Sequence, residues 1–290
     1  MKRVLGLVLL LVLVFAGISV LRIWPELRAA QGKREPVVDL VAPGLPPELG
    51  ENGALALLLF SKTNGFRHAA AIPACEKALR EIAARRGWQV FVTENAAVFE
   101  DGLLARFRVL VSNNATGDNW SPPQREAFQR WIERGGGFVG VHGAAGTRYR
   151  FWDWYTDELL RGRFIGHPAF PQLQPARLVI EDRTHPAMAH FGADFVHEDE
   201  WYSFERSARQ PGVRVLASLD ESSYAPREIL RDISMGDHPV VWSHCPGRGR
   251  VFYSALGHTA VSYERPELRS MLEGAVAWAA GLAGDCPPPR

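Results

Sequence analysis

The run Gly135-Gly136-Gly137-Phe138-Val139-Gly140-Val141-His142-Gly143-Ala144-Ala145 constrains this chain more than any other. It reads as a helix C-cap, then a short buried strand, then an abrupt turn of small residues. Turns of the Gly-x-nucleophile-x-Gly kind raise one side chain at the carboxyl end of a parallel sheet, where open α/β folds bind ligands. Hydrolases raise a Ser there, and other enzymes a Cys. The raised residue here is His142, a poor covalent nucleophile but a good acid, base, ligand or hydrogen-bond donor.

The flanking sequence supports a sheet of this kind. Ala54–Phe60 is a continuous apolar run, as expected of a strand buried on both faces. Strands are also expected at Gln89–Thr93, Phe107–Val111 and Phe138–Val141. Between them lie helices from about Ala69 to Arg86, closed by Gly87, and after the capping box Ser121-Pro122-Pro123-Gln124. Phe128, Trp131 and Ile132 give that second helix its apolar stripe. Strand and helix alternating at this spacing imply right-handed βαβ units and a mainly parallel sheet. The later half is less regular. A helix is expected at Trp152–Arg161, strands at Leu178–Ile180, Phe195–Phe204 and Val213–Ala217, and a final helix from about Pro266 to Ala280. The turn Pro246-Gly247-Arg248-Gly249 marks a hairpin between Pro239–Cys245 and Arg250–Leu256.

Lys2 and Arg3 precede an apolar run from Val4 to Leu21, closed by Arg22-Ile23-Trp24. A run of about 18 residues or more can cross a bilayer, and no good small-residue cleavage site follows, so residues 1–24 read as an uncleaved signal-anchor. Residues 25–52, with Pro43, Pro46 and Pro47, have linker composition. Residues 53–284 form one α/β domain and 285–290 a tail. The domain is accordingly expected on a membrane anchor, outside the cytoplasm. The net charge of +1 offers no basic stripe for nucleic acid. Three cysteines, Cys75, Cys245 and Cys286, are too few for a disulfide framework. Cys75 reads as a buried inert thiol, and a Cys245–Cys286 bridge is not expected, since nothing in the spacing constrains it.

Four segments reach the carboxyl edge of the expected sheet: those holding His68, Asn113 and Asn114, His142, and Gly257-His258-Thr259. His197-Glu198-Asp199-Glu200-Trp201-Tyr202 is the second notable cluster. On a strand, Glu198, Glu200 and Tyr202 would share one face. Two readings stand, a solvated acidic edge strand and a carboxylate partner for one of the histidines. His142, Glu200 and His258 are the candidate acid/base residues. No cofactor is expected, and no HExxH, HxH or HxxH spacing occurs, but a divalent metal assembled from those same three residues stays open. Flat rings beside polar groups suit a sugar, and Trp154 and Tyr155 are the expected stacking pair. His68, Asn64, Asn113, Asp118, His167 and Tyr202 complete the candidate substrate contacts.

Taken together, the motifs Asn64-Gly65-Phe66-Arg67-His68, Thr116-Gly117-Asp118, Gly136 to His142 and Phe164-Ile165-Gly166-His167-Pro168 resemble the trehalose-utilisation ThuA-like family. So do His185-Pro186, Asp199-Glu200-Trp201-Tyr202 and Pro239-Val240-Val241-Trp242 through Gly257-His258. The resemblance runs from Ala54 to about Gly281. It implies a three-layer α/β/α flavodoxin-like domain, similar to class I glutamine amidotransferases, and a role in trehalose-type disaccharide or keto-sugar metabolism. Glutaminase activity does not carry over, because His142 stands where that chemistry needs Cys. The expected function is action on a sugar or keto-sugar. A tethered non-catalytic carbohydrate-binding module and a metal-dependent hydrolase are the alternatives.

Overall fold

The computed structural model describes residues 36–149, 151–192 and 194–286, with Val14 and Gly17. The expected membrane helix lies outside the described residues. Among those described, no helix is long and apolar enough to cross a membrane.

Among the described residues, nine strands form the central sheet. Its first half is β1 (Ala56–Phe60), β2 (Gln89–Thr93), β3 (Val109–Asn113) and β4 (Gly137–Val141). Between them run helices α1 (Ala71–Arg86) and α2 (Pro122–Glu133). The later elements are β5 (Phe164–Gly166), β6 (Gln174–Ile180), β7 (Asp194–Asp199), β8 (Ser203–Phe204) and β9 (Val213–Leu219). They continue with β10 (Arg227–Glu228), β11 (Arg231–Asp232), β12 (Pro239–His244), β13 (Arg250–Ser254) and helix α3 (Pro266–Ala279). The order across the sheet is β2-β1-β3-β4-β13-β12-β9-β6-β7. From β2 to β13 all neighbours are parallel, and β12, β9, β6 and β7 extend the sheet by antiparallel pairing. The parallel half thus follows the flavodoxin-like order, which reverses between β1 and β3.

Alternation along β4 shows why three layers form. Phe138 points to one face, within 6.0 Å of the Phe128 ring on α2. Gly137 points to the other, where α3 approaches so closely that a Cβ would sit 2.4 Å from the Ala279 carbonyl oxygen. Helices α1 and α3 pack together on that second side. Phe138 is fully buried, and burying a side chain of its size contributes about 1.5–3 kcal/mol. Ser121 N donates to Gln124 Oε1 at 2.9 Å, completing one arm of the expected capping box.

Three expectations change. The strand expected at Phe195–Phe204 is two, because the chain leaves the sheet after Asp199 and resumes at β8. Glu200 and Tyr202 are therefore placed by a turn, and Glu198 points to solvent while both of them are buried. Cys245 and Cys286 do form a disulfide, which ties the chain beyond α3 to the β12–β13 hairpin. The bridge was not legible because its partners meet only through packing. Finally, part of the expected linker lies against the domain. Asp39 pairs with Lys62 at 2.5 Å and accepts from Ala96 N at 2.7 Å, while Arg106 Nη2 donates to Pro47 O at 2.7 Å. Cys75 is buried as expected, and burial pushes its thiol up to about 12.

Candidate active site at the sheet's carboxyl edge

His142 follows β4 with φ of 39°, a left-handed conformation unusual for a residue with a side chain. Its surroundings hold it there. Tyr253 Oη donates to His142 O at 2.9 Å, Tyr155 Oη donates to Ala144 O at 3.0 Å, and Gly143 N donates to Asn114 Oδ1 at 3.2 Å. Gly143 must be small, since a Cβ would meet the His68 ring at 3.0 Å. The His142 ring is fixed as well. Its Nδ1 lies 2.6 Å from Ala255 O, and a carbonyl can only accept, so Nδ1 carries the proton and donates.

His142 Nε2 therefore faces inward, 3.2 Å from Glu200 Oε2 and 3.1 Å from His258 Nδ1. His258 Nδ1 is 3.0 Å from the same carboxylate oxygen. His68, from the loop after β1, stacks edge-on against both imidazoles, with centroids 4.9 and 5.0 Å away. One donor atom from each of His68, His142, Glu200 and His258 lies within 4.8 Å of the others. The first three are buried and His258 is partly so. Among the described residues, buried His68 Nδ1 has no hydrogen-bond partner.

The charges respond to this packing. Burial works to raise the Glu200 carboxyl, but the histidines around it, His142 and His258 foremost, hold it well below the usual carboxylate range. Burial, reinforced by the neighbouring His142 and His258, drives His68 well below an ordinary imidazole. For His258, burial lowers and the Glu200 hydrogen bond and charge raise, with a net rise.

Asp199 holds the constellation together, a role the sequence reading did not assign. Fully buried, it accepts from Glu200 N at 2.9 Å and His258 N at 3.0 Å through Oδ1, and from Gly257 N at 2.7 Å through Oδ2. Its sequence signals are its position inside the His197–Tyr202 cluster and its place in the motif Asp199-Glu200-Trp201-Tyr202.

Two members of the cluster, His68 and Glu200, form the floor of a cavity of about 250 Å³, walled by Phe66, Phe164, His167, Gln172 and Tyr202; His142 and His258 touch Glu200 without lining the cavity. His167 Nδ1 donates to Pro168 O at 2.9 Å, leaving Nε2 toward Glu200 Oε1 at 3.3 Å. Gln172 Nε2 donates to that same oxygen. Arg148 and Glu228 pair at the rim. Arg148, Gln172 and Glu228 had no recognisable sequence signal, because loops distant in sequence bring them in.

Five expected contacts lie elsewhere. Asn64 spends its amide on Asp118 O at 2.6 Å and Val37 O at 3.1 Å. Asn113 donates to Ile72 O at 2.9 Å, and Asp118 takes Arg125 at 2.7 and 2.8 Å. Trp154 stacks on Trp152 with centroids 4.9 Å apart, and Tyr155 is buried beneath the elbow. These two rings are an aromatic core layer against α2, and the rings facing the cavity are Phe66, Phe164 and Tyr202.

A mixed α/β domain with a mostly parallel central sheet, carrying a histidine on the turn after β4 at the sheet's carboxyl edge, is the class that fold and site define. Of the three cysteines, one is buried and two are bridged. Residues 56–279 match the family described as ThuA, trehalose utilisation, and the chain belongs to that family. Among solved structures it is similar to a ThuA-like protein from Bacteroides uniformis, with TM-score 0.67 and 23% identity over 83% of this chain and 95% of that one. A ThuA-like protein from Parabacteroides merdae gives TM-score 0.57 at 18% identity, over 78% and 90% of the two chains. A cytoplasmic protein from Salmonella typhimurium gives 0.52 at 11% identity, over 78% and 98%. At these identities the likeness speaks for the fold. No protein of curated function matches the chain.

Proposed function

We propose that the cluster is the catalytic centre of an enzyme acting on a sugar or keto-sugar. One observation carries the reading. Ionisable side chains from four separate segments at one sheet edge converge, and two of them, His68 and Glu200, open onto a solvent-reaching cavity. Structure alone does not need such an arrangement, since each buried charge costs folding energy unless it is paired. At about 250 Å³ the cavity is smaller than the roughly 300–1,000 Å³ typical of pockets for drug-sized ligands, which suits a single sugar ring. Phe66 and Phe164 supply flat apolar walls for a sugar face, while Arg148, Glu228 and Gln172 offer partners for hydroxyls.

His167 handles the proton in this reading. Its Nδ1–H is committed to Pro168, so Nε2 exchanges protons with the substrate while Glu200 orients it and balances charge. Tyr202 Oη, 3.5 Å from His68 Nε2, stands ready as a hydrogen-bond donor. A keto group on the sugar acidifies the neighbouring C–H, which brings proton abstraction within reach of an imidazole. We further propose that Val4–Leu21 anchors the domain outside the cytoplasm, a setting that the Cys245–Cys286 disulfide favours.

The test is product formation, followed by NMR, from a panel of disaccharides and their keto derivatives. Turnover by the wild type and a loss of about 10²–10⁴-fold in His167→Gln, with the fold intact, are expected. Unchanged turnover in His167→Gln removes that residue from the reaction, and no turnover of any panel member contradicts the reading.

A further inference from the structure

We propose that His142 Nε2, His258 Nδ1 and Glu200 Oε2 ligate one divalent transition-metal ion, with His68 as a fourth donor on the cavity side. The inference deepens the proposed function, whose site it shares, but its evidence is independent of the substrate.

Proton counting comes first. The only proton of a neutral His142 ring is spent on Ala255 O, so Nε2 presents a lone pair. That lone pair faces a carboxylate oxygen at 3.2 Å and His258 Nδ1 at 3.1 Å, and the latter two are 3.0 Å apart. A single N–H on His258 Nδ1 cannot lie along two of these edges at once. Three electron-rich atoms in a closed triangle are stabilised by a cation at their centre.

Geometry comes second. Donors about 2.1 Å from a shared ion stand about 3.0 Å apart at octahedral and about 3.4 Å apart at tetrahedral angles. The three observed edges, 3.0, 3.1 and 3.2 Å, fall in that interval. Two imidazoles and one carboxylate are a donor set that zinc and the later first-row divalent ions accept.

The supporting groups come third. A metal-binding His commonly gives its other N–H to a carbonyl or carboxylate, as His142 does to Ala255. The second oxygen of Glu200 accepts from Gln172, which orients the carboxylate. Asp199 holds the backbone of both Glu200 and His258. His68 is 5% exposed, stacks on both imidazoles and has a buried ring nitrogen without a partner among the described residues. An ion here would polarise a carbonyl or hydroxyl oxygen entering the cavity, leaving proton transfer to His167.

The test uses the full-length chain in detergent, stripped with chelator and titrated with Co²⁺ and then Zn²⁺. Expected are one equivalent per chain, a visible Co²⁺ absorption band that Zn²⁺ abolishes, and affinity about a hundredfold weaker in His258→Ala and in Glu200→Gln. The exposed-surface control His190→Ala should bind as the wild type does. Circular dichroism of the metal-free variants reports folding, and if one variant fails to fold the other decides. Uptake well below one equivalent overturns the proposal, as does equal affinity in wild type and folded variants. Sugar turnover that persists in the stripped protein refutes a catalytic ion and leaves the proposed function standing. Stoichiometric metal without turnover of any sugar supports the ion and sinks the sugar reading.

Discussion

Replacing Asp199 with Asn is the most informative perturbation of the scaffold, because one carboxylate serves three backbone donors. Burial alone would raise this carboxyl, but a hydrogen bond from His197 and the neighbouring imidazoles help keep it below its ordinary range. In Asp199→Asn the amide oxygen can keep Glu200 N and His258 N. The amide nitrogen must then replace Oδ2, 2.7 Å from Gly257 N, where two donors confront each other. One buried N–H left unsatisfied costs about 1–3 kcal/mol, and bonds that lose their ionic partner weaken further, so a total near 3 kcal/mol follows. For a domain of this size, about 2–4 °C per kcal/mol gives a melting point lower by about 6–12 °C. Thermal unfolding followed by circular dichroism reads this directly. The metal affinity should fall too, because Glu200 and His258 lose their shared support. A melting point within about 2 °C of the wild type refutes the reasoning.

Other consequences are open to measurement. Trp154→Ala should lower stability by about 2 kcal/mol while leaving sugar affinity unchanged, since its ring stacks on Trp152 away from the cavity; weakened sugar binding at unaltered stability refutes this placement. Gly257→Ala should destabilise by more than about 2 kcal/mol in urea unfolding, because φ is +117° and the new Cβ would sit 2.5 Å from Tyr263 Oη; a neutral result is incompatible with that packing. Reducing Cys245–Cys286, separated by 41 residues, should cost about 4 kcal/mol on a chain-entropy estimate, read as a lower urea midpoint with reductant. An unmoved midpoint means the bridge contributes nothing. Burial pushes His185 down to about 3 and His244 down to about 4. Their folded pKa values lie below the unfolded 6.5, so the unfolded chain binds protons first and stability falls as pH drops from 6.5 toward 4. Between pH 6.5 and 5 each costs about 2 kcal/mol. Equal urea midpoints at pH 7 and 5 contradict this, and His244→Gln should make the dependence shallower.

Local chemistry made much of the architecture legible. Apolar runs at Ala54–Phe60 and Phe138–Val141 became β1 and β4, because a strand buried on both faces has few alternatives. His142 stood out since an imidazole between small residues has no packing purpose. Glu200 lies in a segment that the sequence presents as a continuous strand; the chain instead turns after Asp199, and the turn aims the carboxylate inward. Trp154 and Tyr155 were misplaced because rings that could stack on a sugar are the same rings that fill a core. Arg148, Gln172 and Glu228 reach the cavity from loops joined only by tertiary packing, for which no sequence pattern exists. The Cys245–Cys286 bridge is the same case: a contact set by the closing of the last helix against a hairpin.

The central claim is that a sugar binds in the cavity over Glu200 and the histidines packed around it, and thermal melting of the full-length chain against disaccharides and keto-sugars tests it most directly. Specific binding at about 100 times Kd should stabilise the fold by about 2.7 kcal/mol, and the shift should vanish in His142→Ala. No stabilisation by any sugar, or an equal shift in His142→Ala, would contradict it.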